Sequence, residues 1–147
     1  MAFSGRIIVL KGDPIVKEAK ANVAGILPGH RLLLDSAGDT GPAGVATEQD
    51  PGRKAFAVEA DVIGQDATTA YIDNEQVKYV VAKSGDEILI RATAALTWAI
   101  GDPLYAAAAG RVGDIPLSTG VAAAPIGFAL SANAAAAVDS LHAMEVA

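Results

Sequence analysis

Between Lys54 and Arg111 the chain is cut at short intervals by Gly-Asp steps. Val77–Lys83 (VKYVVAK) runs into Ser84-Gly85-Asp86 and then Glu87–Ala92 (EILIRA); Gly101-Asp102-Pro103 precedes Leu104–Ala106. Glycine and aspartate enter turn conformations at low cost, and proline fixes φ just after one. The pieces between the cuts are too short for helices and rich in Val, Ile and Tyr. This pattern predicts a β-sheet folded by tight turns.

The same reading extends along the chain. Arg6–Lys11 is a short strand candidate, ended by Gly12-Asp13-Pro14, and Ile15–Asn22 is polar and weakly patterned. After the Pro28-Gly29 turn, Arg31–Asp35 reads as the first strand of a body. Ser36–Val45, full of small residues, reads as a loop or loose hairpin, and Ala55–Ala60 as a strand. Asp61–Asn74 reads as an excursion with room for one helical turn. In Thr93–Ile100 the largest side chains, Leu96, Trp98 and Ile100, recur with period two and are expected on one face of a strand. Leu104–Val112 reads as a hairpin turning near Gly110. Pro125–Ser131 and Leu141–Ala147 read as the last two strands, joined by Ala132–Ser140, which has the composition of one or two helical turns.

Composition narrows the function classes. Of the 147 residues, 52% are hydrophobic but only 5% aromatic. Much of the apolar total is alanine, and small side chains make a thin core, since a buried methylene contributes only about 0.8 kcal/mol. Such a body gains from association. There is no cysteine, so disulfides, thiolate metal sites and cysteine nucleophiles are excluded. No apolar run approaches the roughly 20 residues of a membrane helix, and the N-terminal run is too short for a signal-peptide core. A soluble protein made in a cytoplasm, with no membrane partner, is expected. The net charge of −6 disfavours nucleic acid. Its distribution is uneven: residues 1–31 carry five cations against two carboxylates, net +3, which leaves −9 on the remainder.

That asymmetry divides the chain into an N-terminal arm, residues 1–25, and a single β-rich body, residues 26–147. The arm is expected to lie extended on a neighbouring subunit or another surface. Its candidate partner-binding residues are Arg6, Ile7, Ile8, Val9, Leu10, Lys11, Lys17 and Lys20. Ile7–Leu10 would add a strand to an exposed sheet edge, and the cations would meet an acidic surface.

Candidate chemistry is sparse. Asp39-Thr40-Gly41 matches the tripeptide of aspartic proteases, but no second copy exists in the chain, and a loop is the better reading. Gly38, Gly41 and Gly44 are too few for a collagen repeat and wrongly spaced for a phosphate loop. His30 and His142 lack metal-ligand spacing and read as surface or interface residues. Asp50, Glu59 and Asp61 lack EF-hand spacing and read as solvated acidic loops. Trp98 reads as core. No catalytic, cofactor-binding or metal-binding residue is assigned, and the chain is not expected to be an enzyme.

Three groups of segments carry a resemblance. They are IVLKGDPIVKEAKA at Ile8–Ala21, running to Pro28-Gly29-His30 and on to Gly38; Ala55–Glu59 through Val77–Val81 to Gly85-Asp86-Glu87; and Gly101–Tyr105, Gly110 and Ile126–Leu130. Together they resemble the capsid decoration (cement) proteins of tailed bacteriophages. The resemblance implies a mainly β protein, a compact antiparallel β-barrel or jelly-roll-like sandwich with an extended N-terminal arm. It implies a homotrimer on the outer capsid surface at threefold and quasi-threefold positions, with the major capsid protein as partner. A glycan-binding or host-adhesion β-module is the alternative, and it would want clustered exposed aromatics.

Overall fold

A computed structural model describes residues 8–42, 54–60, 64–94, 96–114, 125–134 and 137–147. Eleven strands are found among them: β1 (Val9–Lys11), β2 (Ile15–Lys20), β3 (Arg31–Leu34), β4 (Thr40–Pro42), β5 (Ala55–Ala57), β6 (Gln76–Val81), β7 (Glu87–Arg91), β8 (Pro103–Ala106), β9 (Val112–Gly113), β10 (Gly127–Ala129) and β11 (Leu141–Val146). They form a six-stranded sheet, β1-β7-β11-β10-β8-β9, and a five-stranded sheet, β2-β6-β5-β3-β4. Every ladder is antiparallel. A single parallel bridge, Ala21 to Thr40, links the ends of the two outer strands of the smaller sheet, and another, Ala92 to Val112, links the end of β7 to β9 in the larger. Neither bridge extends to a ladder, so the fold is a sandwich rather than a closed barrel.

Alternation along the strands explains the packing. Ile88, Ile90, Leu104, Ala106, Ala129, Met144 and Val146 point inward from the six-stranded sheet and meet Phe56, Val58 and Val80 of the other layer. The opposite face of the five-stranded sheet is also buried, where Ala55, Ala57, Val77 and Tyr79 pack with Ile26, Leu32 and Tyr71. That double burial accounts for the nearly continuous apolar character of β5 and β6. Tyr71 donates its hydroxyl hydrogen bond to the Val58 carbonyl at 2.7 Å, so its polar tip is satisfied inside the fold.

Several expectations are corrected here. The segment read as the arm does not stand off from the body over its described residues: β1 pairs with β7, β2 pairs with β6, and Ile8, Ala19 and Ala21 are buried. A strand on a sheet edge buries few side chains, so β2 shows no alternation a sequence reader would detect. β3 is consequently not the first strand of the body. Ala132–Ser140 forms no helix among its described residues; Asn133 bridges Trp98, and Asp139 turns with φ of +59°. The shared face expected for Leu96, Trp98 and Ile100 is absent, because Trp98 is buried while Ile100 is 69% exposed. His30 is buried rather than on the surface, and Glu59 is buried rather than in a solvated loop. The hairpin β8–β9, turning through the 3-10 segment Ala108–Gly110, and the final pair β10–β11 match expectation.

Candidate partner interface

The N-terminal strands supply the edge of both layers at once. β1 is an outer strand of the larger sheet, β2 is an outer strand of the smaller, and Gly12-Asp13-Pro14 carries the chain across between them. An edge strand leaves one row of backbone donors and acceptors unused by its own sheet. Here that edge also exposes apolar side chains, with Leu10 at 48%, Ile15 at 51% and Val16 at 38% exposure. Lys17 and Lys20 are exposed on the same strand, and Lys11 lies 3.8 Å from Glu87. Of the predicted residues, the fold therefore gathers Leu10, Lys11, Lys17 and Lys20 along one edge and adds Ile15 and Val16. Val9 is half-buried, and Ile8 belongs to the core. Arg6 and Ile7 lie outside the described residues, as do Asp50 and Asp61.

A second surface was not legible in the sequence. One row runs across five strands of the larger sheet on its outward side: Lys11 opposite Glu87, Glu87 opposite Glu145, Glu145 opposite Phe128, and Phe128 opposite Pro103. Phe128 is 40% exposed and Pro103 is exposed, while Leu89 and Tyr105 on the same side are half-buried. Phe128 and Glu145 are seventeen positions apart, and only the β10–β11 register makes them neighbours.

The densest polar cluster joins the loops at one end of the sandwich. The Leu27 N–H donates to His30 Nδ1 at 3.1 Å, so the neutral ring carries its proton on Nε2 and donates it to Asp139 Oδ1 at 2.8 Å. Arg111 grips the same carboxylate through Nε at 2.8 Å and Nη2 at 3.0 Å. Arg91 donates to the carbonyls of Pro28 at 2.8 Å and Asp139 at 2.6 Å, and to that of Ala67. The hydrogen bonds from Arg111 hold the Asp139 carboxyl down at about 2. Burial lowers His30 below its ordinary 6.5, against the opposing pull of Asp139. Both His30 nitrogens are occupied by the fold, which leaves neither for a reacting group. The Ser140 hydroxyl donates to the Ala137 carbonyl at 2.7 Å, so His142 donates its Nε2 proton to Ser140 Oγ at 2.8 Å, and its ring stands edge-on to Trp98 at 5.0 Å. Among the described residues no carboxylate orients His142, and no group of three His, Asp or Glu could hold a metal ion. Asp35, not Asp39, organises the protease-like tripeptide: its Oδ1 accepts from the N–H groups of Ala37 and Asp39 and closes the β3–β4 turn.

No protein-family model matches the sequence, and no curated protein does. Among solved structures, the fold is similar to the crystal structure of the head fiber gp8.5 N base in bacteriophage phi29. The TM-score is 0.56 at 12% identity, over 92% of this chain and 95% of that one. At that identity the likeness is one of fold, over nearly the whole length of both chains.

Proposed function

We propose that this chain is a structural protein of a tailed-phage virion that sits on the outer surface of the icosahedral capsid. It acts there as a homotrimer at threefold and quasi-threefold positions, bound to the major capsid protein, and it stabilises the shell. The single observation that carries this reading is the fold shared along nearly its whole length with a phage head fiber base. Two features support it. The chain has a thin, alanine-rich core, and it presents exposed apolar and basic residues along β1 and β2, an outer strand of each sheet among the described residues, which suits pairing with an extended partner segment. On this reading the protein has no reaction and no cofactor, and it is made in the host bacterial cytoplasm. Trp98 lies inside the fold, so the alternative of a sugar-binding module lacks its strongest stacking platform.

The test is a cryo-EM map of particles with and without the purified protein, paired with heat challenge of both. The expected result is added density on the outside of the shell at threefold positions and a higher temperature of shell rupture. Undecorated particles at saturating protein would overturn the reading.

A further inference from the structure

We infer that the outward face of the larger sheet, around Phe128 and Glu145, receives the Ile15–Lys20 edge of a second copy of this chain. The inference rests on the proposed self-association and specifies the two surfaces that make it. They differ from one another, so the contact is head-to-tail and repeats from copy to copy until it closes into a ring.

Glu87 and Glu145 stand directly opposite each other on β7 and β11. Like charges in that relation oppose sheet formation. Lys11 of the same chain approaches Glu87 alone, at 3.8 Å, and no ion pair to Glu145 is found among the described residues. Beside this acidic pair lies an apolar surface, Phe128 and Pro103 exposed with Leu89 and Tyr105 half-buried. The surface therefore fits a partner that brings cations next to apolar side chains. The β2 edge has that character: Ile15 and Val16 are exposed apolar residues, and among the exposed charged residues that follow, Lys17 and Lys20 outnumber the single carboxylate Glu18. The whole chain repeats the asymmetry, net +3 over residues 1–31 against −9 elsewhere. Pairing two β2 edges with each other about a twofold axis is the competing arrangement. Registers centred on Lys17 or Glu18 would set lysine against lysine or glutamate against glutamate, and in any register a β2–β2 contact leaves the Glu87–Glu145 pair without the cation that the proposed contact brings it. Burial of the apolar residues supplies most of the attraction, and the charges set which surface meets which.

The native chain has no cysteine, which allows a direct test. Glu145→Cys and Lys17→Cys chains, each otherwise full length, are purified reduced, mixed and oxidised. A disulfide-linked pair is expected in the mixture and not in either chain alone. In sedimentation, Glu145→Lys and Lys17→Glu with Lys20→Glu should each weaken self-association by about tenfold, and combining all three changes in one chain should restore it. Circular dichroism melts of each variant separate misfolding from lost contact. A chain that stays monomeric at all concentrations and forms no mixed disulfide overturns the inference. So does Glu145→Lys that abolishes shell binding but leaves self-association intact, since the face then belongs to the capsid. A mixed disulfide in a protein that binds no shell would instead keep this contact and defeat the capsid reading.

Discussion

Asp139 ties together three parts of the molecule. It holds His30 and Arg111 with its carboxylate and Arg91 with its carbonyl, and so joins the turn before β3, the end of β7 and the hairpin β8–β9. The sign of its pH response follows from the shifts. Asp139 is held near 2 against an ordinary 3.8, so its contribution is present above 3.8 and is lost as pH falls toward 2. His30 and His142 are both lowered from 6.5 by burial. The unfolded chain therefore binds their protons first, and stability falls as pH drops through and below 6.5. Urea melts from pH 8 to pH 4 should show this decline, and it should persist in His142→Phe, where His30 alone remains. A flat profile in that variant would show His30 to be free of the cluster. Two glycines make a second residue-scale test. Gly101 has φ of +89° with open space around a would-be Cβ, whereas at Gly110 (φ +75°) a Cβ would lie 2.6 Å from the Arg31 carbonyl oxygen. Gly101→Val should cost roughly 1–3 kcal/mol through backbone strain alone. Gly110→Ala carries both strain and clash, and should lower the melting temperature at least as much despite its smaller side chain.

At the scale of elements, the N-terminal strands are the sharpest case. Ile8, Ala19 and Ala21 are buried, and β2 pairs with β6 over six residues. Burying one side chain such as Ile8 contributes roughly 1.5–3 kcal/mol, and its N–H is the donor to the buried Glu59 carboxylate at 2.8 Å. Removing residues 1–25 takes away an edge strand from each sheet and strands that carboxylate. The truncated chain should therefore lose cooperative unfolding in calorimetry. A normal melt would restore the view of residues 1–25 as a detachable arm. Lys17→Glu, by contrast, lies on an exposed edge and should leave the melting temperature within a degree or two.

For the whole molecule, the two-layer architecture makes stability and association separable. The cores lie between the sheets and behind the smaller one, whereas the two candidate contact surfaces are an outer edge and an outer face. Phe128→Ser should thus reduce self-association while changing urea stability little, as measured by sedimentation and denaturation of the same sample. Chelator treatment is expected to leave the melting temperature unchanged; a fall of several degrees would reveal a structural ion and require a different account of the acidic loops.

Element type was legible because turn chemistry and strand composition are local. Ser84-Gly85-Asp86 and Gly101-Asp102-Pro103 break the chain where their backbones turn, and VKYVVAK and EILIRA have no other way to bury their apolar residues. Residues 1–25 read as an arm because an edge strand takes its hydrogen bonds from one neighbour and shows little periodicity, so β2 reads as polar chain until β6 lies beside it. Ala132–Ser140 follows the same logic in reverse: alanine favours a helix locally, but Trp98 and Ala92 offer the backbone of Asn133 and Asp139 hydrogen bonds that a helix would forgo. By itself the sequence determined a β-rich chain without thiols, its turns, and its division of charge. The tertiary structure alone decided which charges meet. His30 and Asp139 are 109 positions apart, and Glu87 faces Glu145 only through strand register, a long-range property set by how the strands pack.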